Sequence, residues 1–124
     1  MADPDKPKDL VLVVEDEALI RMNSADMIRD MGFEAIEATD AEQAVCLLEA
    51  TPAIRVVFTD IQMPGSMDGL LLAAVVRDRW PPVALLITSG KLRPIAADMP
   101  SGARFIAKPY SPVELREELN VLMA

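Results

Sequence analysis

The sequence predicts a doubly wound α/β domain, a parallel sheet with helices on both faces, and three observations lead there. Short apolar runs alternate with helical patterns through the whole chain, which is the signature of a parallel sheet covered on both sides. Acidic residues close two of those runs and a lysine closes a third. These positions lie at the carboxyl ends of strands, where open α/β sheets place ligands. Finally, 124 residues with 52% apolar content suffice for one domain around one core.

Leu10–Val14 reads as the first strand and Glu17–Met31 as a helix. Ile20, Ser24, Met27 and Met31 recur at spacings of four, three and four, so they define its buried face. Gly32 ends this helix as a left-handed cap. Phe33–Ala38 is a second strand, Asp40 caps a helix over Ala41–Ala50, and Pro52 stops it. Ile54–Thr59 is apolar almost throughout, as a central strand should be. Asp68–Arg79 is a third helix, Pro81-Pro82 ends the connection, and Val83–Thr88 is the fourth strand. Between Gly90 and Gly102, Pro94 and Pro100 leave room only for a short helix. Ala103–Ala107 is the fifth strand. Ser111-Pro112-Val113-Glu114 is a capping box with proline at the first helical position. The final helix buries Leu115, Leu119 and Leu122. Residues 1–8 are polar, carry Pro4 and Pro7, and read as a flexible tail before a domain over residues 9–124.

Composition removes several classes of function. A formal charge of −8 without a basic run argues against direct nucleic-acid binding. No apolar stretch is long enough to span a membrane, and the opening residues lack a signal peptide's apolar core. Cys46 is the only cysteine, which fits a reducing cytoplasm, and its helical phase turns it outward or to a boundary. The chain has no histidine. Histidine chemistry must therefore come from a partner.

The polar residues at the strand ends converge on one chemistry. Glu15, Asp16 and Asp60 repel one another unless a cation sits among them. Mg²⁺ prefers such oxygen ligands, keeps several waters, and usually sits beside a phosphate. An Asp carboxylate can be the nucleophile that forms an aspartyl phosphate. Lys108 offers a point charge for phosphoryl oxygens. Thr88 offers a hydroxyl at the same edge.

This constellation resembles the receiver domain of two-component response regulators. The matching residues are Val13-Val14-Glu15-Asp16, Asp60 with Met63-Pro64 and Asp68-Gly69, Thr88-Ser89-Gly90, and Lys108-Pro109. No block is specific alone, but their order and spacing together are. The resemblance implies a flavodoxin-like five-stranded sheet in order 2-1-3-4-5, with the first and final helices on one face. It implies that Asp60 accepts a phosphoryl group from the phosphohistidine of a histidine kinase or histidine phosphotransfer protein. Asp16 would ligate Mg²⁺ directly, Glu15 largely through water, and Asp60 and the Gln62 backbone carbonyl would complete the protein ligands. Lys108 would contact the phosphoryl group, with a cis peptide before Pro109. Thr88 and Phe105 would respond as a switch read by a downstream protein. Leu19 and Met22, off the buried face of the first helix, would help dock the phosphodonor.

Two departures stand out. The turn from Met63 to Gly69 is one residue longer than the family's usual turn, and the fourth helix is poorer than its norm. Rival readings are a receiver cut from a larger regulator or hybrid kinase, a receiver fold kept for binding alone, and an Asp-nucleophile phosphatase. Met1 and a complete final helix favour a self-contained signalling protein over the first. The complete acid, threonine and lysine set argues against the second. The phosphatases usually carry a second Asp two residues past the nucleophile; here that residue is Gln62, so a switch is favoured over an enzyme.

Overall fold

The computed structural model describes residues 9–91 and 93–124; residues 1–8, read above as a tail, lie outside them. Five strands form one parallel sheet: β1 (Leu10–Val14), β2 (Glu34–Ala38), β3 (Ile54–Asp60), β4 (Ala84–Ser89) and β5 (Arg104–Ala107). Their order is β2-β1-β3-β4-β5, the order implied by the resemblance. Four helices connect and close them: α1 (Ala18–Asp30), α2 (Ala41–Ala50), α3 (Gly69–Arg79) and α4 (Pro112–Met123).

Alternate side chains of the buried strands feed opposite layers, because Cβ direction reverses at each residue. Val11, Val13, Val56, Phe58, Leu86 and Ile106 face α1 and α4, where they meet Ala25, Ile28, Leu115 and Leu119. Leu12, Val14, Val57, Leu85 and Ile87 face α2 and α3, where they meet Ala44, Leu48, Leu72 and Val76. β3 sits at the centre and is buried at every position but Arg55. The reversal of strand order on either side of β1 and β3 opens a crevice at their carboxyl ends.

Local chemistry sets the helix ends. Asp40 and Asp68 accept from the Gln43 and Leu71 amides, each at 2.8 Å. Ser111 and Glu114 complete the expected capping box. Gly32 follows α1 at φ 96°, a conformation that costs glycine little.

One sequence reading shifts, and another holds. The buried residues of α1 are Ser24, Ala25 and Ile28, while Ile20, Met27 and Met31 are half-buried. The helix is rotated so that a small side chain, Ala25, lies directly on the sheet and the long methionines flank it. The segment after β4 carries a single 3-10 turn at Ala96–Asp98. Proline supplies no N–H and fixes its own φ, and here prolines stand close on both sides of that turn.

Candidate functional site

Glu15, Asp60, Thr88 and Lys108 reach one crevice because each lies within or just past the last two residues of a strand of the same parallel sheet. Asp60 ends β3 and pairs in register with Thr88 on β4. The ladder continues past the strand ends: Glu15 donates its N–H to the Ala38 carbonyl at 3.1 Å, Ile61 to Thr88 at 2.9 Å, and Lys108 to Ser89 at 3.1 Å. The acidic turn, the turn after Asp60 and the Lys108 loop are thus extensions of the sheet rather than free loops. The Lys108-Pro109 peptide is cis.

One ammonium faces two carboxylates. Lys108 Nζ donates to Glu15 Oε1 at 2.6 Å and to Asp60 Oδ2 at 3.1 Å. Asp60 Oδ1 accepts from the Gln62 N–H at 3.4 Å. Glu15 and Asp60 are buried, at 4% and 6% exposure, whereas Asp16 is exposed. One carboxylate oxygen from each of Glu15, Asp16 and Asp60 can be chosen so that all three lie within 4.8 Å of one another. Burial, opposed by Lys108 and reinforced by the charge of Asp60, pushes the Glu15 carboxyl up to about 7. Burial lowers the Lys108 ammonium's pKa, but its bonds to Glu15 and Asp60 outweigh this and hold it above the usual lysine range.

Two buried oxygens in this group, Glu15 Oε2 and Thr88 Oγ1, have no hydrogen-bond partner among the described residues. Buried polar atoms are rarely left so. Three clustered carboxylates with one oxygen orphaned fit a hard divalent cation, and an orphaned hydroxyl opposite Asp60 fits an anion's oxygen. The site can therefore hold a cation beside a phosphoryl group.

The surroundings fix this geometry tightly. Gly69, at the start of α3, donates to the Ile61 carbonyl at 2.8 Å. A Cβ there would overlap the Asp60 carbonyl, so the Asp68-Gly69 pair is glycine at its second position for a steric reason. The turn from Met63 to Gly69 is pinned to α2, with Ser66 Oγ donating to Glu42 Oε1 at 2.9 Å. Gln62 Oε1 accepts from Ser89 Oγ at 3.3 Å. Phe105 on β5 is half-buried and packs on the α2–α3 side of the sheet. Leu19 and Met22 are exposed, at 83% and 53%.

Sequence reasoning missed two contacts. Tyr110 and Ser24 hydroxyls lie 2.5 Å apart, and the Tyr110 ring packs edge-on against Phe58 at 5.4 Å. Arg21 reaches back to the acidic turn, donating to the Glu15 backbone carbonyl at 2.9 Å. The first could have been suspected from an aromatic residue beside Lys108-Pro109; an arginine on the first helix gives no such cue.

This arrangement is a lysine-bridged carboxylate site at the carboxyl edge of a parallel sheet, and comparison with known proteins shows which family it belongs to. Residues 11–120 match the response regulator receiver domain. The transcriptional regulatory protein PdtaR of Mycobacterium tuberculosis is 36% identical over 104 residues, covering 82% of this chain and 50% of that protein. The phosphate regulon transcriptional regulatory protein PhoB of Escherichia coli is 32% identical over 117 residues, covering 91% and 51%. A response regulator receiver protein from Pseudomonas putida superposes with a TM-score of 0.84 at 28% identity, covering 94% of this chain and 98% of that one. One from Sinorhizobium medicae shares the fold with a TM-score of 0.87 at 24% identity, covering 94% of each. The chain belongs to the receiver domain family of response regulators. It spans about half the length of PdtaR and PhoB. Among the described residues, no helix is long and apolar enough to cross a membrane.

Proposed function

We propose that this receiver is switched by Mg²⁺-dependent phosphorylation of Asp60, and that residues 9–124 form the switching unit. The carrying observation is the double contact of Lys108 Nζ with Glu15 and Asp60, at 2.6 and 3.1 Å, inside a carboxylate cluster. It supports a reading in which the Lys108 ammonium and the Asp60 carboxylate act together at one strand end.

Asp16, Asp60 and the Gln62 backbone carbonyl would hold Mg²⁺, with Glu15 behind them through water. When bound there, the ion supplies positive charge to the phosphoryl oxygens. An Asp60 carboxylate oxygen forms the new P–O bond while the P–N bond to the donor's histidine breaks. The imidazole nitrogen leaves with the electron pair of that bond and takes up a proton. The donor is a histidine kinase or histidine phosphotransfer protein, since this chain contains no histidine. Lys108 turns from the Asp60 carboxylate to the phosphoryl oxygens and keeps its charge throughout. The buried Thr88 hydroxyl gains an acceptor in a phosphoryl oxygen. Phe105, paired through Ile87 with the strand that carries Thr88, follows into the space that Thr88 leaves. The two arrangements form a conformational equilibrium that phosphorylation biases and a downstream protein reads. Leu19 and Met22 belong to the surface that receives the donor. The protein acts in the cytoplasm as a switch, assisting only its own phosphorylation and dephosphorylation.

A second reading, that the domain serves within a longer regulator, is favoured by the half-length match to PdtaR and PhoB. The test of the shared mechanism is label transfer from a phosphorylated histidine protein. Wild type should take up one base-labile, hydroxylamine-sensitive phosphoryl group only with Mg²⁺, and Asp60→Asn none. Labelling of Asp60→Asn to the same extent would overturn the assignment.

A further inference from the structure

We propose that Arg21 is a positioning residue for the cation site, fixing the turn that carries Glu15 and Asp16. The inference rests on the cation-site reading above and adds a residue to it.

Arg21 lies in the second turn of α1, and its side chain is only 15% exposed. Its Nη1 donates to the Glu15 backbone carbonyl at 2.9 Å. Its Nε meets Glu37 Oε1 at 3.3 Å. Glu37 is itself held from the other side, with Oε2 3.6 Å from Arg29 Nη2. The Glu15 N–H is already bonded to the Ala38 carbonyl. Both peptide groups of Glu15 are therefore tied down, one by β2 and one by a guanidinium that β2 anchors. Arg21 is the only side chain that any described hydrogen bond brings to the Glu15 carbonyl. This carbonyl belongs to the peptide that joins Glu15 to Asp16, so its orientation sets where the Asp16 carboxylate starts. Asp16 itself is exposed.

The planar fork of arginine makes this possible, because two of its nitrogens can serve two acceptors at fixed separation. Lysine brings the same charge but a single nitrogen on a flexible stem. The distinction separates positioning from simple electrostatics. A positive charge near a cation site opposes cation binding, so a charge-only account predicts tighter Mg²⁺ binding in Arg21→Gln and no change in Arg21→Lys. Positioning predicts weaker binding in both. Loss of supporting contacts around a metal site typically weakens affinity tenfold or more.

The experiment is Mg²⁺ titration of the whole chain followed by amide chemical shifts, for wild type, Arg21→Lys, Arg21→Gln and Glu37→Gln. Unfolding in EDTA is measured alongside. Both Arg21 variants should bind Mg²⁺ about tenfold more weakly. The Mg²⁺ concentration for half-maximal labelling by a small phosphodonor should rise by the same factor, while labelling at saturating Mg²⁺ stays within about twofold. Glu37→Gln, which loosens the anchor without touching Glu15, should shift in the same direction by less. Unchanged affinity in Arg21→Lys, or tighter binding in Arg21→Gln, overturns the proposal. If Arg21→Lys does not fold, Glu37→Gln decides, because unchanged affinity there also overturns it. A wild type without any Mg²⁺ response overturns the cation site itself, a result distinguishable from failure of the Arg21 role alone.

Discussion

Gly69→Ala should destabilise the domain although the residue opens a helix. Helix propensity alone predicts the opposite, since Ala exceeds Gly by about 1 kcal/mol in a helix interior. The structure decides the sign. A Cβ on Gly69 would overlap the Asp60 carbonyl oxygen and come within 2.7 Å of its carbon and 2.8 Å of the Ile61 Cα. All three are backbone atoms of the segment that positions Asp60, and none can rotate away. Relief requires α3 or the turn to move, which strains the Gly69 N–H to Ile61 carbonyl bond, now 2.8 Å. Overpacking in such a site costs about 1–3 kcal/mol, and a weakened buried hydrogen bond about 1 kcal/mol more. Against the propensity gain, a net loss of about 2 kcal/mol is expected. At roughly 2.1 cal/mol/K per residue over 124 residues, this lowers Tm by about 8 °C. Urea unfolding in EDTA measures it through the midpoint, and slower labelling by a small phosphodonor should accompany it. A variant as stable as wild type, or more stable, would refute the steric argument.

Other expectations follow from the same contacts. Mg²⁺ at about a hundred times its dissociation constant should stabilise wild type by about 2.7 kcal/mol in urea unfolding; Asp60→Asn, with one carboxylate fewer, should gain far less. Lys108→Met leaves buried Glu15 and Asp60 without their ammonium and should cost about 2 kcal/mol in EDTA, below the 3–5 kcal/mol range because Lys108 is partly exposed; adding Mg²⁺ should restore part of it. Leu19→Glu should slow transfer from a histidine phosphoprotein yet spare labelling by a small phosphodonor, and equal loss in both assays would sink the docking idea. Ser111→Ala removes the α4 cap and should cost about 1 kcal/mol in thermal unfolding without changing labelling.

Much of this domain was legible because its signals are local. Strand runs, the Asp40 cap and the Ser111 capping box each need only a few neighbouring residues, and the structure places them within a residue or so of expectation. The carboxylates could be grouped because parallel strands share one carboxyl edge, whatever their separation along the chain. The phase of α1 was less legible. Methionine and isoleucine carry the strongest apolar signal, yet of the four residues read as the buried face only Ser24 is buried, and Ala25 and Ile28 complete the contact with the sheet. Small residues allow close approach but weigh little in any apolar pattern. Arg21 illustrates a second gap. Its role depends on Glu37 and on the Glu15 carbonyl, one on another strand and one a backbone atom, and neither is visible in residue types along a helix. The attachment of the Met63–Gly69 turn to Glu42 through Ser66 likewise required the fold.

The most direct test of the central claim is intact mass after incubation with a small-molecule phosphodonor, with and without Mg²⁺, for wild type and Asp60→Asn. The account predicts one added phosphoryl group on wild type, dependent on Mg²⁺ and absent from the variant. Equal addition to both proteins, or addition to wild type that ignores Mg²⁺, would contradict it.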